Sequence, residues 1–169
     1  MFRVLIMGFP RSGTRYCSRF LQELGLDVPH ERIGENGGSG HNLVDDAEVA
    51  DFDAVVHLVR DPRAVIASNL ANFDPCDLVD IQREWLKRNL RFARAARGRT
   101  FDIETSILFL GEIAGEAGVR SEDVERVALM LPRDINHRTD YKRLVWADLS
   151  DEVQKLAQSY GYIDEHTLC

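Results

Sequence analysis

The sequence predicts an α/β fold, a three-layer sandwich in which helices cover a central parallel sheet. Two short apolar runs, Val4–Met7 and Asp53–Val59, have the length and composition of buried strands. Each run leads into loop-forming residues and then a helical pattern, and strands that alternate with helices form parallel sheets. The chain has 169 residues, so we predict one domain that spans residues 1–169.

The composition is that of a globular protein, with 44% hydrophobic and 29% charged residues. A formal net charge of −7 disfavours nucleic acid as the main partner. We expect no membrane span or signal peptide, because no apolar run reaches about 18 residues and the first strand begins by Arg3. The cysteines Cys17, Cys76 and Cys169 lack metal-ligand spacing, so we expect no metal site, reduced thiols and a cytoplasmic location.

In the first third of the chain, apolar residues at helical spacing predict a helix over Thr14–Leu24, which ends at Gly25. Leu26–Val28 reads as a short strand. Residues 34–40 contain four glycines, and this density predicts a mobile or close-approach loop rather than a core element. A further helix is predicted over Asn42–Ala50.

The remainder of the chain is predicted to be mainly helical. Pro62 suits the first turn of a helix that follows the second strand. Later periodic segments predict a long helix, a third strand and three further helices, the second with Ser121 as its N-cap. Residues 132–141 read as irregular. These elements are, in order, Leu78–Ala96, Thr100–Glu104, Ser106–Ala117, Ser121–Leu131 and Ser150–Tyr160.

The long helix has an apolar face and an opposite basic face. We interpret the basic face as a solvated surface, because charges commonly lie opposite a core stripe. Attraction of an acidic acceptor is the alternative. The basic residues are Arg83, Lys87, Arg91, Arg94 and Arg97.

The loop Gly8–Gly13 joins the first strand to the first helix. Loops of this kind bind anions with backbone N–H groups and the helix N-terminus, and Ser12 or Thr14 could cap that helix. Arg11 adds a planar donor fork that suits phosphate or sulfate oxygens. The glycine spacing is that of a Walker A loop, but Thr14 replaces its lysine and Arg15 its magnesium-binding hydroxyl.

Three polar clusters follow predicted strands: Gly8–Gly13, Pro29–Glu31 and Arg60–Arg63. In a parallel sheet the carboxyl ends of the strands lie at one edge, and ligands bind there. We therefore expect the three clusters to meet at that edge.

The segments Gly8–Thr14 and Val59–Ser68 resemble the two nucleotide motifs of sulfotransferases that use 3′-phosphoadenosine 5′-phosphosulfate (PAPS). Arg60, Pro62 and Ser68 match the spacing of the second motif. Trp146–Leu149 is similar to the C-terminal part of that family. The resemblance implies a fold like that of P-loop nucleoside triphosphate hydrolases. It also implies cofactor binding by Arg11, Ser12, Gly13, Thr14 and Arg15 at the phosphosulfate, and by Arg60 and Ser68 at the 3′-phosphate, with Asn136, Arg138 and Lys142 as candidates for a further 3′-phosphate contact.

The resemblance implies transfer of a sulfuryl group from PAPS to a hydroxyl or amine of a small-molecule or glycan acceptor, with 3′-phosphoadenosine 5′-phosphate (PAP) as product. Arg11 would stabilise developing charge. The acceptor needs a general base, for which Glu31 is the first choice and His41 or His30 the alternates. Two other functions stay open: a P-loop kinase of small molecules, and a catalytically silent nucleotide-binding module.

Overall fold

A computed structural model describes residues 1–43, 48–72, 77–131 and 144–164 of the chain. Within them lies a parallel sheet of four strands in the order β2-β1-β3-β4. None of the helices in these ranges is long and apolar enough to cross a membrane. The strands are β1 (Val4–Gly8), β2 (Gly37–Gly40), β3 (Ala54–Val59) and β4 (Thr100–Asp102). The α-helices are α1 (Thr14–Glu23), α2 (Pro62–Asn72), α3 (Leu78–Ala95), α4 (Ser106–Glu116), α5 (Ser121–Met130) and α6 (Asp151–Ser159).

The sheet is covered on both faces, as the alternation of side chains along β1 shows. Val4 and Ile6 belong to a buried cluster that includes residues of α1, α4 and α5, among them Phe20. Leu5 and Met7 point to the opposite face, where they pack with Phe92 of α3. This arrangement is consistent with the predicted three-layer α/β fold.

A separate apolar cluster anchors the loop that follows β1. Phe9 is 2% exposed and packs in one cluster with Val65 of α2, Trp85 of α3 and Trp146. Full burial of a phenylalanine side chain is worth about 1.5–3 kcal/mol. Phe9 therefore anchors the loop against α2 and α3, while the polar residues of the loop remain at the carboxyl edge of the sheet.

Most predicted elements are confirmed, with boundaries that differ by a few residues. The third strand ends at Asp102, and Ile103–Thr105 form a 3₁₀ turn instead of its continuation. Ser121 is the first residue of α5, and Arg120 is its N-cap, so the predicted Ser121 cap is wrong. Ser150 does cap α6, since its hydroxyl accepts a hydrogen bond from the backbone N–H of Val153.

The predicted strand at Leu26–Val28 is wrong, because the edge strand is the glycine-rich β2. β2 pairs with β1 in the register Val4↔Gly37 to Met7↔Gly40. A Cβ atom at Gly37 would lie 1.8 Å from the carbonyl oxygen of Val4, so only a glycine permits this approach. The prediction that this segment is a loop rather than a core element is wrong, because Gly37–Gly40 is a buried strand, although the predicted close approach is present.

The helix predicted over Asn42–Ala50 is absent from the part of it that the structure describes. Residues 42–43 form a bend and Glu48–Asp51 a 3₁₀ turn, while 44–47 lie outside the described residues. Residues 132–141, predicted as irregular, also lie outside them. So do Cys76, Cys169, Asn136, Arg138 and Lys142.

A buried histidine links β3 to α3. His57 is fully buried, and its Nε2 lies 2.9 Å from Asn89 Oδ1. The Asn89 amide nitrogen donates to the carbonyl oxygen of Trp85, so its Oδ1 must accept, and His57 Nε2 carries the proton. His57 Nδ1 is then the acceptor for the Thr100 hydroxyl at 3.3 Å. Burial lowers the pKa of His57 from 6.5 to about 4, partly opposed by the bond to Asn89.

His57 should make the protein less stable in acid. The unfolded chain takes up the proton below pH 6.5 and the folded chain only near pH 4, so stability falls as the pH drops through this window. The expected loss is about 1.4 kcal/mol per pH unit. Urea unfolding of wild type and His57→Gln at pH 7, 5.5 and 4.5 measures it. We expect a shallower acid loss in the variant, and identical pH slopes would contradict this role.

Candidate anion-binding and acid–base site

The loop between β1 and α1 is held by unusual backbone angles. Arg11 has φ 76° and Gly13 has φ 102°. The backbone N–H of Ser12 donates to the carbonyl oxygen of Phe9 at 2.9 Å, which closes the turn. A Cβ atom at Gly13 would lie 2.5 Å from Ile103 Cδ1, so glycine is required here by both backbone angle and packing.

The N-terminus of α1 opens onto this loop without a side-chain cap. Gly13 is the N-cap residue, so the prediction that Ser12 or Thr14 caps α1 is wrong. Ser12 is buried, and the Thr14 hydroxyl lies 3.1 Å from His30 Nε2 instead. The first N–H groups of a helix have no acceptor within the helix. An anion held by the loop could accept hydrogen bonds from them.

Arg11 contributes a buried donor at the same place. Its Nε atom is buried and has no hydrogen-bond partner in the described part of the chain. A buried donor left without an acceptor costs about 1–3 kcal/mol. Together with the positive φ of Arg11, this donor indicates a site arranged for an external acceptor such as an anionic oxygen.

The start of α2 flanks the loop on its β3 side. Arg60 Nη1 donates to the carbonyl oxygen of Arg11 at 3.4 Å. The neighbouring Asp61 carboxylate is held by Arg63 through contacts as short as 2.6 Å. In the chain as described, no ion pair joins Arg60 to Asp61 or to Glu104, so its charge stays beside the loop.

Ser68 and Arg15, unlike Arg60, form no hydrogen bond with the loop in the part of the chain that the structure describes. Ser68 is buried on α2, but the hydrogen bond from α2 to the loop comes from Asn69, which donates to the carbonyl oxygen of Pro10 at 2.9 Å. Arg15 is exposed in the first turn of α1. Our sequence interpretation overlooked Asn69, although a polar residue within the apolar pattern of Val65 and Ile66 is a usable signal.

An acid–base cluster lies on the other side of the loop. His41 Nδ1 lies 2.6 Å from Glu31 Oε1, and the His41 backbone N–H donates to the same oxygen at 3.1 Å. His30 Nε2 lies 3.4 Å from Glu31 Oε1 as well as 3.1 Å from the Thr14 hydroxyl. A chain of contacts therefore runs from the loop through His30 to the Glu31–His41 pair.

The position of this cluster comes from β2. The Glu31 N–H donates to the carbonyl oxygen of Ser39, and the Ser39 hydroxyl donates to the carbonyl oxygen of Thr14. The prediction that Glu31 follows a strand ending at Val28 is wrong. Glu31 instead has φ 58° and lies in the turn that follows a single bridge between His30 and Ser39.

The surroundings of His30 favour its neutral form. Desolvation lowers its pKa below 6.5, the nearby Glu31 carboxylate opposes this, and the Arg15 guanidinium lowers it further. A neutral imidazole can accept a proton or relay one, because one ring nitrogen carries a lone pair. The cluster thus offers both a carboxylate and a neutral imidazole beside the loop.

Comparisons with protein-family models, curated proteins and solved structures found no match for this chain. The described residues also contain no group of three or more His, Cys, Asp or Glu side chains able to hold a metal ion. The functional conclusion therefore rests on the contacts and the chemistry of this chain's own residues.

Two glycine substitutions in β2 should have different effects. The three atoms nearest to a Cβ atom at Gly40 belong to the Glu31 carboxylate, at 2.8–2.9 Å, and that flexible group can move away. We expect Gly40→Ala to cost less than about 1 kcal/mol of stability while it separates Glu31 from His41. The ¹⁵N chemical shift of His41 Nδ1 reports the separation, and a wild-type shift in Gly40→Ala would contradict it.

Gly37→Ala is the comparison within the same strand. Its Cβ atom would meet the backbone of Val4, which cannot move without separating the two strands. Positive φ costs about 1–3 kcal/mol and overpacking a similar amount, so we expect a loss of about 3 kcal/mol or more in urea unfolding. A loss as small as that of Gly40→Ala would show that the β1–β2 pairing tolerates a side chain.

Proposed function

We propose that this protein is a PAPS-dependent sulfotransferase with a P-loop fold, which transfers a sulfuryl group to a hydroxyl or amine of a small-molecule or glycan acceptor. The observation that carries the proposal is the hydrogen bond from Arg60 Nη1 to the Arg11 carbonyl oxygen. It joins the two segments that resemble the phosphosulfate and 3′-phosphate motifs. Two separate anionic groups on one nucleotide would require such a pair of adjacent cationic sites.

The chemistry of the loop fits the 5′-phosphosulfate. The α1 N-terminus has no side-chain cap, and Arg11 Nε lacks an acceptor within the described chain. Both would donate to the oxygens of the bound group. Sulfuryl transfer moves an SO₃ group from one oxygen to another, so these donors would stabilise charge on the transferring group and on the departing phosphate.

Deprotonation of the acceptor would fall to the Glu31–His41 pair. The acceptor hydroxyl or amine loses a proton as its oxygen or nitrogen bonds to sulfur, and a base must lie within hydrogen-bond reach. Glu31 is the base that we propose, since two donors of His41 orient its carboxylate. The contact between His30 and Thr14 supports a base placed on the flank of the sulfate-binding loop.

The kinase alternative is less well supported. A γ-phosphoryl transfer in this loop would rely on a lysine and on a hydroxyl that binds magnesium. Thr14 occupies the first position and its hydroxyl contacts His30, while the exposed Arg15 occupies the second. A silent nucleotide-binding module would retain cofactor binding without turnover, so binding and turnover experiments together separate the three functions.

We expect PAP to bind without magnesium and more tightly than AMP, because only PAP carries a 3′-phosphate. Isothermal titration calorimetry with PAP, AMP and ATP, each with and without magnesium, measures this. Arg60→Ala should weaken PAP binding about ten- to a hundredfold, as expected for one charge-assisted contact. AMP binding should change much less.

Arg19→Ala is the matched control, because Arg19 is an exposed arginine of α1 that pairs with Glu23 at 3.9 Å. It should leave PAP affinity unchanged. Equal affinities for PAP and AMP would remove the 3′-phosphate site from the proposal. Strict magnesium dependence with preference for ATP would favour the kinase.

Glu31→Gln should abolish most turnover while PAP affinity stays constant. The substitution keeps size and hydrogen bonding but removes basicity, and loss of a general base costs about 10²–10⁴-fold in turnover. Release of PAP from PAPS with a panel of phenols, alcohols and amines measures this. His41→Gln should have a smaller effect, because His41 orients the carboxylate. Near-normal turnover in Glu31→Gln together with a large loss of turnover in His41→Gln would indicate that His41 is the base.

A further inference from the structure

An arginine-lined cavity lies at the edge of the sheet opposite the loop site. It has a volume of about 580 Å³ and is lined by the start of β3, the end of α3 and the turn that leads into β4. β3 separates it from Arg60 by five residue steps, roughly 17 Å at 3.3 Å per step. This cavity is therefore distinct from the loop site and takes no part in the proposed sulfuryl transfer.

Arginines dominate the charge of this cavity. Arg91, Arg94, Arg97 and Arg99 line it, and among the lining residues that the structure describes Asp53 is the one carboxylate. The Asp53 carboxylate is already engaged, since its Oδ2 accepts the backbone N–H of Arg3 at 2.8 Å. This concentration of positive charge occurs in a chain whose formal net charge is −7.

Two of these arginines form no ion pair within the ranges that the structure describes. Arg99 pairs with Glu116 at 3.3 Å, on the exposed surface. No carboxylate in the ranges that the structure describes forms an ion pair with Arg94 or Arg97. Guanidinium groups that share one cavity repel one another, and an anion between them would relieve the repulsion.

The backbone at Arg97 adds an independent observation. Arg97 follows the end of α3 with φ 49°, a conformation that glycine adopts at helix ends without strain. Gly98 is the next residue, so the chain has placed an arginine where a glycine would be more stable. Backbone strain of this kind clusters at binding sites, where the surrounding structure sustains it.

The floor of the cavity is apolar. Phe52, Val55, Ala95 and Ala96 line it, and the Arg3 guanidinium stacks over the Phe52 ring at 4.7 Å. A volume of about 580 Å³ falls within the range of small-molecule sites, which are concave and mostly apolar with a few polar groups. A flat basic surface would suit an extended polyanion better than this concave one.

We propose that this cavity binds a small organic polyanion, which carries at least two phosphate, sulfate or carboxylate groups on a compact body. Arg94 and Arg97 would hold the anionic groups, and the apolar floor would contact the body. The basic face of α3 was interpreted from the sequence as solvated. The structure confirms that these residues are exposed, and it adds that Arg91, Arg94 and Arg97 line this cavity.

The test uses ¹H–¹⁵N NMR of the full chain titrated with pyrophosphate and, separately, with citrate. Gly98 reports on the cavity and Gly13 on the loop, so the two sites are read independently. We expect saturable shifts at Gly98 with a dissociation constant below about 1 mM in 0.1 M salt. A response to pyrophosphate alone would assign phosphate groups to the ligand, and a response to citrate alone would assign carboxylates.

Arg97→Gly is the decisive variant, because it removes the guanidinium and also relieves the backbone strain. We expect it to raise the melting temperature and to weaken binding at Gly98 about ten- to a hundredfold. Arg94→Gln should weaken binding similarly. Arg83→Gln is the matched control, since Arg83 lies on the same helix, pairs with Asp80 and does not line the cavity.

Three outcomes would overturn the proposal. The first is the absence of a saturable shift at Gly98 up to about 10 mM of either probe, which would leave the arginines as partners of the negative end of α3. The second is an equal loss of affinity in Arg83→Gln, measured at Gly98, which would indicate non-specific attraction. The third is a loss of the chemical-shift response of Gly98 in Arg60→Ala, which would show that the probes act through the loop site. Failure of the sulfotransferase proposal would leave the Gly98 response unchanged.

Discussion

The approach of the glycine strand β2 to β1 is the constraint on which the candidate site depends. The space between Gly37 and the Val4 carbonyl group excludes any side chain. Because β2 pairs so closely with β1, Ser39 reaches the backbone of Thr14, and the turn before β2 brings Glu31 within 2.6 Å of His41. A bulkier edge strand would move this acid–base cluster away from the loop.

The two edges of the sheet carry different kinds of cationic site. At the carboxyl edge, the N-terminus of α1 and Arg11 offer donors that lie within a few residues of one another in sequence. At the amino edge, the arginines come from α3 and from the turn after it. The buried hydrogen bond between His57 and Asn89 joins α3 to β3, and thereby holds the wall of the arginine-lined cavity against the sheet.

Part of the candidate site follows from sequence because its signals are local. The loop Gly8–Gly13 and the cation at Arg60 are defined by neighbours in the chain, and the structure places them in contact. Asn69 and Ile103 escaped notice because their contacts with the loop span tens of residues. The Glu31–His41 pair requires a positive φ at Glu31, and a glutamate in the sequence does not predict a positive φ.

The sequence by itself determined β1, β3, the long helix α3 and the order of strand and helix, because apolar periodicity and run length are properties of short windows. Only the tertiary structure decided that Gly37–Gly40 is a strand and that Leu26–Val28 is not. Glycines carry no side-chain pattern, so their pairing depends on the surface of β1 that accepts them. The exposed basic face of α3 follows from the sequence, but only the packing of α3 against β3 decides that part of this face lines a cavity.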